Sequence, residues 1–310
     1  MISLTLLIAP IFLIIVTGYL LHQSLIKDDN VWNYLNKLAY WVLFPCLLFN
    51  KTSVINFEDF AIGPLAVTVI VGFSAAAIIS FLLSKLGGIR SASTTSIVQG
   101  GARHNAFLAL AIVTQIFGGE GATIGAIIIA VLVTFTNISV NIMMTVMLSP
   151  KGSSALSILK DLQRNPFIIA ISIGAIFNVM GFGNLPILHD FTANVGETTL
   201  TIALLCVGAG LKIKGVGNNM VPCLIACFSK MIVFPLVVYL CAAYFGLPHV
   251  VMMTAMIFAM SPAGAASYPL AKQMGGDAPL MATLISLQTL MSVISIPLII
   301  YLLSPGGSFG

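Results

Sequence analysis

Arg103, His104 and Asn105 stand side by side directly after Gln99-Gly100-Gly101-Ala102, inside a run of otherwise small or apolar residues. An arginine offers a planar fork of donors that fits a carboxylate. A histidine can donate, accept or carry a proton. Each glycine costs roughly 1 kcal/mol in a helix interior relative to alanine. The second half of the chain holds a counterpart, Ser261-Pro262-Ala263-Gly264-Ala265-Ala266-Ser267, where the proline costs roughly 3 kcal/mol. Such breaks free backbone N–H groups and expose helix N-termini, whose partial positive charge suits an anion. Small residues that let two helices pack closely are the other reading of either segment alone; the matched pair favours interruption. Gly100, Gly101, Arg103, His104, Asn105, Ser261, Pro262, Ala263 and Gly264 are therefore candidate ligands of an anion, joined by Gln288 from a later run.

Other polar residues sit in equally apolar surroundings. An arginine at the bilayer centre costs from ~3 to above 10 kcal/mol, so Arg103 must face a polar interior. Its partner is either a substrate carboxylate, or Glu197, or freed carbonyls. Lys230 lies five residues before Pro235. A desolvated lysine can carry a coupled proton, stand where a cation would sit, or hold loose carbonyls. Glu197 is a proton carrier, an arginine partner or a group near a wet surface. Asn137 and Asn141 share one helix face, as do Gln288 and Ser292, and either line a cavity or bond between helices. Cys223 and Cys227 are one turn apart, but no histidine or carboxylate completes a ligand set, so no metal is expected. No nucleophile elbow, aspartate pair, His-Glu-x-x-His or phosphate loop is present. The expectation is no enzyme, no cofactor, no nucleic-acid partner and no ATP-driven pump.

The elements that must position these residues follow from composition. Of 310 residues 59% are hydrophobic and 7% charged, too few charges to coat a soluble domain. A span needs roughly 20 mostly apolar residues, and in lipid such runs must be helical. Apolar runs predict ten spans: 3–22, 33–54, 62–84, 95–118, 122–148, 166–182, 190–212, 217–245, 249–272 and 278–303. The first has no basic segment before it and no clear cleavage site after it, so it reads as a retained span. With loops alternating, one side holds Lys27, Lys85, Arg90, Lys151, Lys160, Arg164, Lys212, Lys214 and Lys272, and the other Lys51 alone. The basic side should be cytoplasmic, and both termini extracytoplasmic. The connection 149–165 carries Leu156, Leu159 and Leu162 on one stripe beside Lys160 and Arg164. It is either a helix on the inner membrane surface or a solvated linker.

A repeat organises the spans. Gly118-Gly119-Glu120 and Gly275-Gly276-Asp277 each follow a weakly apolar span and precede a strong one, 157 residues apart. This places span four on nine and span five on ten, with the linker at the junction. Five spans per half means that the halves are inverted, an architecture of many secondary transporters. The predicted organisation is a first five-helix repeat over 1–150, a cytoplasmic linker over 151–165 and a second, inverted repeat over 166–310.

Four segments carry a family resemblance. They are Leu35-Asn36-Lys37-Leu38 through Phe44-Pro45-Cys46-Leu47-Leu48-Phe49; Arg103-His104-Asn105 with Gly118; Leu205-Cys206-Val207-Gly208-Ala209-Gly210-Leu211; and Lys230 with Pro235, Pro262 through Gly276, and Thr289 to Pro297. In this order they resemble the auxin efflux carrier family, which includes bacterial malonate-type carriers and plant PIN-like proteins and is related to bile-acid/sodium symporters. The resemblance implies an all-α polytopic membrane protein of ten helices in two inverted repeats, with interrupted helices 4 and 9 crossed. Helices 1, 2, 6 and 7 would form a dimerising scaffold, and helices 3–5 and 8–10 a transport domain moving as an elevator. Plant members have proline at both crossover points. Span four here has Gly100 and Gly101 and no proline, so an asymmetric crossover is expected.

The function read from the sequence is a secondary active transporter of small mono- or dicarboxylates in a plasma membrane of bacterial inner-membrane type. Its partners would be the anion, the lipid bilayer, H+ or Na+ as coupling ion, and a second copy in a homodimer. Two alternatives remain: a sodium-coupled symporter of amphipathic anions, and a membrane sensor that binds a ligand without moving it.

Overall fold

A computed structural model describes residues 2–55, 61–148, 163–183, 185–212 and 217–303. The stripe of Leu156, Leu159 and Leu162 lies outside the described residues. Within them the chain is helical, with no strand. The helices are α1 (Ile2–Ser24), α2 (Asp29–Leu38), α3 (Phe44–Ser53), α4 (Ile62–Leu86), α5 (Ser91–Ala102), α6 (Ala106–Leu148), α7 (Pro166–Val179), α8 (Pro186–Ala209), α9 (Met220–Phe228), α10 (Phe234–Tyr244), α11 (His249–Met260), α12 (Ser267–Met274) and α13 (Ala278–Leu303). Six stretches are long and apolar enough to cross a membrane: Leu6–Ser24, Ile62–Leu86, Ser91–Leu148, Pro186–Ala209, Met220–Tyr244 and Ala278–Leu303. This is a polytopic membrane protein. The remaining predicted spans are shorter, more polar or broken. The second starts at Asp29, where the Asp28 carboxylate caps the Asn30 N–H. The sixth stops at Val179, before Gly181 at φ 74°.

Two prolines shape the rods from within. Pro45 and Pro235 have no N–H to continue the ladder, and each ring would strike the carbonyl four residues back. The chain widens by one residue just before each of them. Phe44 N–H reaches Ala39 O and Phe234 N–H reaches Ser229 O, closing single π turns at Ala39–Leu43 and Ser229–Val233. The rods Asp29–Ser53 and Met220–Tyr244 stay continuous across them.

Several elements recur at a fixed separation along the chain. Ile62–Leu86 and Met220–Tyr244 are each 25 residues long, and α5 and α11 are each 12. In both cases the starts lie 158 positions apart. Gly88 (φ 65°) and Gly246 (φ 61°) keep the same separation, and each precedes the same closing bond, Ile89 N to Ser84 O and Leu247 N to Ala242 O, both 3.0 Å. Gly118 (φ 58°) kinks α6, and Gly275 (φ 78°) ends α12, a left-handed conformation that glycine adopts without the steric cost of a Cβ.

Two packing groups result. α1, α2–α3, α7 and α8 pack on one another, and α4, α5 and α9–α13 form the second group. The long α6 belongs to the second group and also touches α1, α3, α7 and α8. Where burial from water gives no drive, close fit holds helices together. A Cβ on Gly18 would meet the Leu205 carbonyl, and one on Gly208 the Ile15 carbonyl, so α1 and α8 lie backbone against backbone. Phe44 of α3 stacks edge-on against Phe107 of α6 and Phe167 of α7, with centroids 4.6 and 4.7 Å away.

At the end of α5 remote from its break, Asp277 gathers a clamp. Its carboxylate accepts from Arg90 Nη2 at 2.9 Å, Ser93 Oγ at 2.8 Å and Leu280 N at 3.1 Å. Its own N–H donates to Ala92 O, and its carbonyl accepts from Ser96 Oγ. Partial burial raises its pKa, but these donors outweigh it and hold the carboxyl below its ordinary value. The depressed folded pKa makes the clamp's stabilisation complete above the unfolded carboxylate range, near pH 4. It is lost as pH falls through the folded pKa. Asp277→Asn should therefore destabilise the protein by about 1–2 kcal/mol at neutral pH. The melting difference from wild type should shrink in acid.

Candidate functional site

The first break covers Arg103-His104-Asn105. α5 ends with Arg103 extended (φ −68°, ψ 152°), its N–H still bonded to Gln99 O. The second begins at Ser261, also extended (φ −60°, ψ 141°), and runs to Ala266 before α12. The expected interruption of both helices is present, and the two breaks differ in length. The first lies later than expected. Gly100 and Gly101 are helical and buried, and they serve close packing. A Cβ on Gly100 would come within 2.7 Å of Leu284 Cδ1, and one on Gly101 would meet Ser80 Oγ.

The breaks are bound to each other. Gln288, fully buried on α13, donates through Nε2 to Gly100 O and accepts through Oε1 from Ala263 N, both at 2.9 Å. Ser261 Oγ donates to Phe258 O at 2.8 Å and accepts from Asn105 N at 3.3 Å. Gly264 lies so near His104 that a Cβ would come within 2.7 Å of its carbonyl. Gln288, Ser261, Pro262 and Ala263, predicted as ligands, are buried inside this joint. The two functions of the Gln288 amide and the Ser261 hydroxyl are already engaged there.

Asn105 is used in a further way. Its Oδ1 accepts from Phe107 N at 3.1 Å and Leu108 N at 3.2 Å, capping α6. The N-terminus of α6 thus has its donors taken by its own chain. α12 has no side-chain cap. The amides of Gly264, Ala265 and Ala266 donate to nothing among the described residues.

A cleft of about 670 Å3, counting its open mouth, lies here. The breaks contribute Arg103, His104, Asn105 and Gly264–Ala266, and α6 contributes Thr136 and Asn137. Opposite stand Asn36 and Tyr40 of the α2–α3 rod and Phe167 of α7. Arg103 donates to Gln99 Oε1 at 3.3 Å and Asn137 Oδ1 at 3.4 Å. Both bonds are long and neutral, leaving most of its five donors for a bound anion. Of the three partners weighed for Arg103, Glu197 is not in contact; it is exposed on α8. Asn137 is a cleft residue. Asn141 sits one turn on and donates to Asn137 O at 2.9 Å. The sequence reading missed Asn36 and Tyr40, whose four-residue spacing puts them on one helix face. Phe167 offered no polar signal at all.

Lys230 lies apart from the cleft, in the second π turn. It is fully buried, with Nζ 4.7 Å from the Phe234 ring centroid and no hydrogen-bond partner among the described residues. It holds no loose carbonyl. Neither ring nitrogen of His104 is bonded among the described residues, and its ring is 5.9 Å from that of Phe258. Among the described residues no cluster of histidine, cysteine and acidic side chains could hold a metal.

Membrane-length helices interrupted in matched places, with a cationic cleft between two packing groups, are features of a membrane carrier. The chain matches the model of the membrane transport protein family over residues 3–157 and again over 152–300. It belongs to this family, the auxin efflux carrier family, whose members are membrane transporters. No curated protein sequence matches it.

The cap role of Asn105 separates it from a ligand role. Asn105→Ala should cost about 1 kcal/mol of stability, whereas Asn105→Ser keeps a cap oxygen and should melt near wild type. Carboxylate affinity should stay within about twofold in Asn105→Ser, a change of under 0.5 kcal/mol. A folded Ser variant with much weaker binding would make the Asn105 side chain a ligand.

Proposed function

We propose that this chain is a secondary active transporter of small organic anions, mono- or dicarboxylates, bound at the cleft between the two breaks. The observation that carries the reading is the meeting of the Arg103 guanidinium with the unbonded amides of Gly264, Ala265 and Ala266 along one cleft wall. Oriented amides and one cation attract an anion together. The opposite wall comes from Asn36, Tyr40 and Phe167 in the other packing group. A site shared in this way suits an elevator-like motion, with α4–α6 and α9–α13 carrying the anion past α1–α3, α7 and α8. The spacing of 157 to 158 residues between matching elements supports ten spans in two inverted repeats, 1–150 and 166–310, joined by a linker at 151–165. In this reading α1–α3, α7 and α8 are the scaffold of a homodimer in an inner-type plasma membrane, with H+ or Na+ as the coupling ion.

A sodium-coupled symporter of amphipathic anions would need a cage of oxygens. The Arg103 cleft contains no Asp or Glu, which favours the first reading. A sensor would bind carboxylates without moving them, and uptake into proteoliposomes separates the two.

Arg103→Gln keeps polarity and approximate length while removing the charge. Carboxylate binding, measured by calorimetry on folded protein, should weaken by roughly 1.5–3 kcal/mol, about tenfold or more in dissociation constant. Unchanged affinity would take Arg103 out of the site. For topology, cysteines placed at Ser3 and Ser308 should react with an impermeant reagent in intact cells. Protection of both would reverse the orientation.

A further inference from the structure

Beside the cleft lie further buried polar groups, on the first break and on the helices that pack around the second π turn. Arg103 and His104 are consecutive residues at an extended break, where neighbouring side chains point to opposite sides. Arg103 turns to Gln99 and Asn137, and the His104 ring turns to Phe258 of α11. His104 still lines the cleft, three residues from Gly101, whose backbone lies against Ser229, the neighbour of Lys230. It therefore stands between the two places.

On the π turn, the helices packed on it and the break are buried polar atoms with no hydrogen bond among the described residues: Ser80 Oγ on α4, Ser229 Oγ and Lys230 Nζ in the π turn, Thr254 Oγ1 on α11 and both His104 nitrogens. Ser80 and Ser229 meet over Gly101. The π turn packs against α4, α5, α9, α10 and α11, and none of these five helices contains an Asp or Glu. The charged or titratable groups they and the break bring are Arg103, His104, Cys223, Cys227 and Cys241, with exposed Lys85, Tyr239, Tyr244 and His249. A permanently charged ammonium here would be a buried cation with only the Phe234 ring to face, which is strongly unfavourable without a counter-charge.

We infer that Lys230 is the proton-carrying group of the transporter, taking up a proton when a carboxylate fills the cleft and giving it up when the cleft empties, with His104 as the hydrogen-bonding link. The inference rests on the anion site proposed above. A hydronium ion passes H+ to the Nζ lone pair, an N–H bond forms, and water is left. After the domain moves, the N–H bond breaks and water takes the proton on the other side. The bound anion supplies the missing counter-charge, so carboxylate and proton travel together.

The test has two arms. Without ligand, melting of purified wild type is compared with Lys230→Met and Lys230→Arg. An amine that holds no proton in the empty protein predicts that Met melts at or above wild type and that Arg, which stays charged, melts well below. Loss of stability in Met with Arg tolerated would overturn the inference. So would stabilisation by chloride that Lys230→Met abolishes, since the amine would then hold an anion. With ligand, lactate and succinate are added in weak buffer. Wild type should take up close to one proton per molecule bound, and Lys230→Met should bind with none. Binding by wild type without proton uptake sinks the inference. If neither probe binds, the anion site itself is at fault, and the ligand-free arm still decides the state of Lys230.

Discussion

One buried side chain fixes the relation of the two interrupted helices. Gln288 is linked at one end to the carbonyl of Gly100 and at the other to the amide of Ala263. Both are backbone groups beside a break, where the ordinary helical partner is missing or displaced. In a low-dielectric interior an unmet amide or carbonyl costs several kcal/mol. The primary amide is suited to the task because it is donor and acceptor at once. From this joint follow the contact of Asn105 with Ser261, the approach of Gly264 to His104, and the placing of Arg103 at the cleft wall. The helix breaks become a defined site only because this bridge keeps them in register.

The two halves then divide the work unequally. In the first, Asn105 closes the N-terminus of α6 upon itself, and the extended backbone sends Arg103 one way and His104 the other. In the second, no side chain caps α12, and the amides of Gly264, Ala265 and Ala266 before it donate to nothing among the described residues. Fixed charge thus comes from one half and backbone donors from the other. An anion between them would touch both, and its loss would be felt by both. The aromatic contacts of Phe107 with Phe44 and Phe167 tie the same region to the first packing group.

Much of this was legible in the sequence. The helical, membrane-embedded character, the paired breaks, the half-buried Arg103, the buried Lys230 and the family itself follow from local residue types and their order. The exact seat of the first break did not. Two glycines cost only about 2 kcal/mol together in a helix, and the tight contact of Gly100 with Leu284 and of Gly101 with Ser80 gives them a packing reason to stay helical. Pairings over long sequence distances were also hidden. Nothing local shows that Gln288 meets Gly100, that Asn36 faces Arg103, or that Glu197 points away. The π turns are similar: a proline in a helix announces a disturbance but not whether the chain kinks or widens.

Those widened turns have a consequence for the symmetry of the molecule. A residue added to an α-helix rotates everything beyond it by about 100°. The rods Ile62–Leu86 and Met220–Tyr244 have equal length, yet only the second spends a residue on a π turn. Their ends can be superposed at one side of Lys230, but on the other side the same sequence positions point in different directions. Any matching of the two rods must slip there by one residue of sequence register. A single-residue deletion near Met231 would take out the residue that the π turn absorbs, leaving the helix beyond it in place and bringing its sequence positions back into phase with Ile62–Leu86.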